Sequence, residues 1–232
     1  MSLSGGPKIT KEGLVLLLDA TNEKSYPGEG QTWYDISGYK NHGTQQYSPV
    51  WSEEYFETNN GYFNIQHSDS LDFTGSLTAC MWAKSDSSGG FGIYWSGISR
   101  YSQFILGPNG TSNSPMAFLI YTNNWYPSGY GNASLWGQSE LGLDYSQWHY
   151  YVGVYESENN QNKLYIDGEL IVTLPTSGTL KQDNDTIDIG NRESSDKQTL
   201  KGDIASVQVY NRSLNQEEVI KNFNATKRRF NF

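Results

Sequence analysis

Aromatic side chains in a polar segment are the residues of this sequence best suited to bind a ligand. The segment from residue 109 to residue 137 is rich in Gly, Asn and Ser and carries several rings, with others close upstream. A ring held by a polar loop can stack on the apolar face of a sugar while nearby amides bond its hydroxyls. The competing interpretation assigns half of these rings to a large aromatic core. The predicted carbohydrate-binding residues are Trp95, Tyr121, Trp125, Tyr126, Tyr130 and Trp136.

Oxygen-bearing side chains cluster at Asp183, Asn184 and Asp185. Calcium takes several oxygen ligands, usually two or more carboxylates together with backbone carbonyls. Asp183 and Asp185 are therefore the candidate ligands of a structural calcium ion. The competing interpretation is an ordinary turn, because Asp and Asn commonly precede a strand without binding a metal. No other cofactor is indicated.

Catalytic side chains do not form a recognisable pattern. His42, His67 and His149 lie in separate segments, without the HExxH spacing of a zinc protease. The sequence has no G-x-S-x-G nucleophile motif and no phosphate-binding loop. His149 begins an apolar run, so we expect it to be a hydrogen-bonded strand histidine rather than a base. The sequence predicts that the protein is not an enzyme.

The net charge argues against one class of partner. The 232 residues include 25 Asp and Glu against 16 Lys and Arg, which gives a formal charge of -9. Nucleic-acid binding draws most of its affinity from basic contacts with phosphate, so we expect no nucleic-acid partner. No apolar stretch approaches the roughly 18 residues of a membrane span, so we expect no membrane insertion. The single cysteine, Cys80, should be buried as a small apolar side chain.

Short apolar runs between turn residues must position these groups. About a dozen runs have the length and alternation of strands, including Leu14 to Asp19, Leu77 to Ser85 and Gly202 to Tyr210. Asp167-Gly168 between two such runs is a strong hairpin signal. The 24 glycines indicate many turns, and aromatic residues at 14% supply a sizeable core. The predicted fold is all-β, a two-sheet antiparallel jelly-roll sandwich.

One short helix is predicted after the last strand. Asn215 and Glu218 have the spacing of a capping box, which marks a helix N-terminus. Val219, Ile220 and Phe223 share one side of this helix. We therefore expect an amphipathic C-terminal helix that docks on a sheet through these three side chains.

The closing stretch also carries a family resemblance. Residues 202–227, G-D-I-A-S-V-Q-V-Y-N-R-S-L-N-Q-E-E-V-I-K-N-F-N-A-T-K, resemble the terminal signature of laminin-G-like, concanavalin A-like lectin/glucanase domains. The form is the one common in phage virion proteins. Stretches that begin at Gly13, Leu77, Trp148 and Leu164 follow in the family's order. The resemblance implies a jelly-roll domain over 13–226 with its first and last strands close together. Ser4-Gly5-Gly6-Pro7 indicates a flexible leader over 1–12, and the basic and aromatic residues 227–232 are expected to form a tail.

The resemblance bears on catalysis and on metal binding. The related glucanases use an E-x-D-x-(x)-E motif for their paired carboxylates, and this sequence lacks it. Many relatives carry a structural calcium ion, with an Asp in the closing strand where this chain has Ala205. Asp203, two positions earlier, is a conceivable replacement for that ligand.

Three functions are compatible with these observations, and we favour the first. It is a non-catalytic carbohydrate-binding or host-recognition module, part of a larger phage virion protein, whose partner is a glycan or cell-surface polysaccharide. The second is a purely structural or decoration module that contacts other virion proteins. The third is an unfamiliar glycoside-active enzyme. The expected location is the virion surface or another extracellular setting.

Overall fold

The structure is a computed structural model, and it describes residues 8–86, 97–100, 103–108, 116–123, 130–134, 143–182, 184–191 and 199–230, with the backbone alone at 108 and 130–134. The strands in these ranges are β1 (Leu14–Asp19), β2 (Thr32–Trp33), β3 (Gly43–Tyr47), β4 (Val50–Trp51), β5 (Phe56–Glu57), β6 (Gly61–Ile65), β7 (Leu77–Ser85), β8 (Ile98–Arg100), β9 (Phe104–Pro108), β10 (Met116–Tyr121), β11 (Tyr130–Ser134), β12 (His149–Glu156), β13 (Gln161–Ile166), β14 (Glu169–Pro175), β15 (Ile187–Ile189) and β16 (Gly202–Tyr210). Helix α1 spans Gln216–Thr226, and short 3-10 turns occupy Asp69–Leu71 and Lys227–Phe230.

Two antiparallel sheets form a sandwich. Sheet I has the order β14-β13-β12-β7-β16-β5-β4. Both β5 and β1 pair with β16, β5 at residues 203–204 and β1 at residues 206–210. Sheet II has the order β11-β10-β9-β8-β15-β6-β3-β2. The first strand and the last strand pair directly, as expected from the resemblance. The predicted all-β, two-sheet fold with one short C-terminal helix is confirmed.

Alternation along the strands sends side chains into two apolar layers. In β7, Ala79 and Met81 point into the main core between the sheets, whereas Cys80 and Trp82 point to the outer face of sheet I. Each large apolar side chain that is fully buried contributes about 1.5–3 kcal/mol. Sheet I is therefore buried on both faces along β7, and its outer face needs a cover.

Helix α1 is that cover, and its N-terminus has the predicted cap. Asn215 Oδ1 accepts a hydrogen bond from the Glu218 N–H at 2.9 Å, and Glu218 Oε2 accepts one from the Asn215 N–H at 3.1 Å. Val219 is buried against sheet I as predicted. The prediction for Ile220 was wrong, because this side chain is 38% exposed. The buried face is rotated away from Ile220 toward polar side chains further along the helix.

Those polar side chains form a hydrogen-bonded network under α1. Asn222 is fully buried, donates to the Tyr210 hydroxyl at 2.9 Å and accepts from the Thr10 N–H at 2.8 Å. Thr226 Oγ1 accepts from Trp82 Nε1 at 2.8 Å. A hydrophobic pattern cannot reveal this face, since buried amides and hydroxyls are stable only where partners satisfy them.

Packing also extends beyond the boundaries expected at residues 13 and 226. Thr10 is buried, and its carbonyl accepts from the Tyr210 hydroxyl at 3.0 Å. On the other side, the Phe230 ring stacks on Trp82 with ring centroids 4.1 Å apart. Thr10 in the predicted leader and Phe230 in the predicted tail are thus packed on sheet I.

Strand β11 lies inside the segment expected to be a recognition loop. It pairs with β10 from Tyr121 opposite Tyr130 to Ala117 opposite Ser134. Its Gly and Asn residues have low strand propensity, so no local pattern predicts a strand there. Non-local pairing with an apolar neighbour is what makes this stretch a strand.

Candidate functional site

Most of the predicted carbohydrate-binding residues lie outside the described part of the structure. Trp95, Trp125, Tyr126 and Trp136 are in this group, as is the predicted metal ligand Asp183. Tyr130 is described by its backbone alone, in β11. Their assignment to a sugar site therefore stays a prediction.

Tyr121 is the one predicted sugar-binding residue whose side chain is described. It is 3% exposed and packs with Ile105, Ala117 and Leu119 in a small cluster on the outer face of sheet II. A ring this deeply buried is not presented to a sugar. It has the core role that the competing interpretation gives to half of the rings.

The described residues contain no arrangement of side chains suited to a metal ion. Asp185 is exposed, and across the described ranges no group of three or more His, Cys, Asp or Glu lies close enough together to hold an ion. Asp203, the suggested replacement ligand in β16, pairs with Lys84 at 3.1 Å. Burial raises the pKa of Asp203, and Lys84 partly opposes that shift. A lysine partner already occupies this carboxylate.

The titratable side chains considered for catalysis have structural partners. His149 Nδ1 lies 2.6 Å from Asp167 Oδ2, at the turn of the predicted Asp-Gly hairpin. His67 Nε2 lies 2.8 Å from Asp72 Oδ1. Cys80 is buried as predicted, and burial raises the pKa of its thiol to about 12. A thiol with this pKa stays protonated at neutral pH and is a poor nucleophile.

The feature of the described residues best suited to a ligand is an open cleft between the β1–β2 loop and the end of β4. We call it the aromatic cleft, and it encloses about 500 Å³. The rings of Tyr26 and Trp51 meet there with centroids 5.4 Å apart and planes tilted by 57°. Its lining residues are Ala20, Thr21, Glu23, Tyr26, Pro27, Gly28, Trp51 and Glu53.

Hydrogen bonds and ring contacts fix the aromatic cleft before any ligand arrives. The Tyr26 ring packs edge-on against Phe56 at 4.8 Å, and its hydroxyl donates to the Gly30 carbonyl at 2.9 Å. Trp51 Nε1 lies 3.4 Å from the Ala20 carbonyl. Gly28 has a φ of +92°, and a Cβ there would come within 3.2 Å of the Trp51 ring. Glycine thus allows the loop to lie flat against the tryptophan.

The chemistry of the aromatic cleft combines an apolar surface with acidic acceptors. Trp51 is half-buried, so part of its ring faces the cleft, while Glu23 and Glu53 are exposed at the rim. Neither carboxylate forms an ion pair with a described residue. Glu53 also has a φ of +58°, a conformation uncommon for a residue other than glycine. Unpaired carboxylates beside a ring can accept hydrogen bonds from sugar hydroxyls.

Sequence reasoning missed the aromatic cleft. Tyr26 lies in a loop whose turn residues, Pro27-Gly28, are visible in the sequence, and Trp51 lies on a separate segment. Only the sandwich brings that loop against β4, so no local signal could have found the pair.

Comparisons with known proteins add a family and several structural neighbours. The sequence matches the Concanavalin A-like lectin/glucanases superfamily over residues 57–220. No curated protein matches it. Among the described residues, no helix has the length and apolar character needed to cross a membrane.

Several solved structures with a similar fold come from bacterial toxins. The binding domain of Paraclostridial Mosquitocidal Protein 1 has a TM-score of 0.66 and 14% identity, with 92% of this chain and 52% of that chain covered. The binding domain of botulinum neurotoxin DC, in complex with rat synaptotagmin II, has a TM-score of 0.64 and 16% identity, with 92% and 52% covered. A structure of botulinum neurotoxin type C, whose cell entry depends on interaction with two ganglioside molecules, has a TM-score of 0.65 and 15% identity, with 92% and 51% covered.

This chain spans about half the length of those structures, and at such identities the likeness shows the fold alone. None of the three is a phage protein, so the phage part of the resemblance gains no support from them. The family match extends over more than half of the chain and agrees with the two-sheet architecture. The chain belongs to the concanavalin A-like lectin/glucanases superfamily.

Proposed function

We propose that this chain is a non-catalytic binding module that recognises carbohydrate on a cell surface. The observation that carries the proposal is the aromatic cleft, where the Trp51 ring and the unpaired carboxylates of Glu23 and Glu53 line one open space. Its volume falls within the range of about 300–1,000 Å³ that is usual for small-molecule sites. A sugar placed there can lay its apolar face on the tryptophan and donate its hydroxyl protons to the acids.

The comparisons support the class of partner. The family is described as one of lectins and glucanases, and this sequence lacks the glucanase carboxylate motif. Two of the three neighbouring structures are binding domains, and the third is of a toxin whose cell entry depends on two ganglioside molecules. Those partners belong to the toxins, and the proposal for this chain takes from them only the class, a glycan or cell-surface polysaccharide. The proposed setting is extracellular, and the sequence resemblance adds a phage virion surface as the finer proposal.

The segment over residues 109–137, which we call the aromatic segment, is a second part of the proposal. Trp125 and Trp136 remain candidates for sugar stacking, together with Trp95, Tyr126 and Tyr130. Tyr121 is left out because its ring is buried. A structural calcium at Asp183 and Asp185 belongs to the same proposal, as an ion that would hold the loop before β15.

The test is a glycan-array screen of the purified chain in calcium and again in chelator. Trp51→Ala, Trp125→Ala and Trp136→Ala each remove one candidate stacking surface. Trp148→Ala is the matched control, because Trp148 is also half-buried but packs against Tyr55 and Phe230, away from the aromatic cleft. Circular dichroism of each variant establishes that it is folded.

We expect Trp51→Ala to weaken binding by about tenfold or more, equivalent to about 1.4 kcal/mol, while Trp148→Ala binds like the wild type. Loss of binding in Trp125→Ala or Trp136→Ala instead would place the site in the aromatic segment. Loss in chelator would add the calcium ion. A folded wild-type protein that binds nothing across a broad array would overturn the proposal and favour the structural module.

A further inference from the structure

A second pocket lies near the aromatic cleft, and the β1–β2 loop contributes residues to both. We call it the polar pocket, and it encloses about 310 Å³ on the outer face of sheet I. One set of hydrogen bonds links residues of the two sites. Arg229 Nη1 donates to both carboxylate oxygens of Asp19, at 2.8 and 2.7 Å, and to Thr21 Oγ1 at 2.9 Å. Thr21 lines the aromatic cleft, whereas Asp19 and Arg229 line the polar pocket.

The floor of the polar pocket is built from two paired strands. Gln208 lies opposite Leu17, and Ser206 lies opposite Asp19, where β16 and β1 pair. Directly paired residues project to the same face of a sheet, so these four side chains form one surface. The end of α1 supplies a wall through Ala225 and Thr226.

Two buried polar side chains in this floor have hydrogen-bonding capacity that the protein does not use. Ser206 is 3% exposed, and its hydroxyl has no hydrogen-bond partner among the described residues. Gln208 is 2% exposed and turns its carbonyl oxygen to Tyr150, 3.1 Å away in the network under α1. Its amide nitrogen, at the other end of the same group, has no partner among the described residues either. Neither atom is sealed from the pocket, so both donors are free to hydrogen-bond a ligand that enters it.

The charges around the polar pocket indicate what kind of ligand. Lys8 and Lys11 are exposed at its rim, and neither forms an ion pair with a described residue. Arg229 engages Asp19 through Nη1 and keeps Nη2 and Nε without a described partner. In a chain with a net charge of -9, this pocket has three cations against a single carboxylate that is already paired. The excess of positive charge and the unused donors both fit an oxyanion.

We propose that the polar pocket binds the carboxylate or sulfate group of an acidic glycan, while a neighbouring sugar occupies the aromatic cleft. This inference rests on the proposed function and narrows its partner to an acidic oligosaccharide. Ser206 and Gln208 donate hydrogen bonds to the oxyanion, and Lys8 and Lys11 supply charge. Ile9, Leu17 and Ile36 give the sugar ring an apolar surface.

Two variants test the assignment without threatening the fold. Ser206→Ala removes a buried hydroxyl that no described residue bonds, so the folded state should not lose stability. Lys8→Gln combined with Lys11→Gln removes two exposed charges. The matched control is Lys181→Gln combined with Lys221→Gln, since both of these lysines are also exposed and neither lines the polar pocket.

The first measurement compares acidic oligosaccharides with their matched neutral forms, carboxyl-reduced or desulfated, by isothermal titration calorimetry. We expect wild type and the control to bind the acidic form at least tenfold more tightly, and both pocket variants to lose that preference to within about twofold. The preference should also shrink as salt is raised, because exposed charges are screened. An unchanged preference in both pocket variants would overturn the inference.

A second measurement separates this inference from the proposed function. Thermal melting in sodium sulfate needs no glycan. Sulfate stabilises proteins in general, so the informative quantity is the sulfate-induced rise in melting temperature of the wild type minus that of the Lys8/Lys11 variant. If sulfate raises the melting temperature of the wild type more than that of the variant, the result supports an oxyanion site even when no glycan on the array binds. An equal rise, together with neutral glycans bound in the aromatic cleft, would keep the proposed function and refute the inference.

Discussion

Replacing Asn222 with alanine should loosen the attachment of α1 to sheet I. The side chain is fully buried, and its partners come from opposite ends of the sequence, the Thr10 N–H from one and the Tyr210 hydroxyl and Gln208 Oε1 from the other. In Asn222→Ala the Thr10 N–H loses its acceptor, while the Tyr210 hydroxyl keeps its bond to the Thr10 carbonyl. The perturbation therefore leaves one buried backbone donor unsatisfied.

An unsatisfied buried donor costs about 1–3 kcal/mol, and we expect the free energy of unfolding to fall by that amount. For a domain of this size each kcal/mol corresponds to roughly 2–4 °C in melting temperature, so a loss of about 2 kcal/mol predicts a drop of roughly 4–8 °C. Urea denaturation gives the free energy of unfolding directly. The dependence of that free energy on urea concentration should equal the wild-type value if unfolding remains two-state.

The control is Asn224→Ala in the same helix. Asn224 is half-buried and forms no side-chain hydrogen bond with a described residue. Alanine is also the better helix former, so this variant should stay within about 0.5 kcal/mol of the wild type. If Asn222→Ala and Asn224→Ala are equally stable, the buried network is not what holds α1, and the reasoning is refuted.

Two further predictions concern sheet I. Burial alone would lower the pKa of His149, but the hydrogen bond and charge of Asp167, with help from Asp144, raise it overall. This pair therefore stabilises the fold fully below the unfolded pKa near about 6.5, and the contribution is lost as pH rises through the folded value. Asp167→Asn should reduce the fall of the urea midpoint as pH rises through that range. A fall as steep as that of the wild type would contradict the pairing. Gly153→Ala should prevent folding or destabilise by about 1–3 kcal/mol or more, because a Cβ would enter the ring of Phe118; a variant that melts like the wild type would show that the sheets can separate there.

Local signals were sufficient for most of the fold. The bounds of β1, β7 and β16 agree with the runs that predicted them, because each run is rich in apolar side chains and is bounded by turn residues. The Asp167-Gly168 hairpin has the positive φ angles that this dipeptide favours, 53° and 87°. The capping box at Asn215 depends on four consecutive residues and was equally visible.

Features made by contacts between distant segments were not predictable in this way. The buried face of α1 depends on Asn222 meeting Tyr210 and Thr10, so apolar periodicity wrongly selected Ile220. β11 forms because β10 lies beside it. The aromatic cleft and the polar pocket each join residues from segments far apart in the chain. A sequence read locally shows which side chains could bind a ligand, but not which of them become neighbours.

The position of β16 determines when the sandwich can form. This strand is the last of the described strands in chain order. It nevertheless lies inside sheet I, between β7 on one side and β1 and β5 on the other. Synthesis on the ribosome proceeds from the N-terminus, so β1 and β7 wait with an unpaired edge until Gly202–Tyr210 has emerged. Unpaired edges invite association between nascent chains, and such long-range pairing is slow. We therefore expect the domain to fold only after nearly all of it has been translated, and a chain stopped before Gly202 to aggregate instead of yielding a half sandwich.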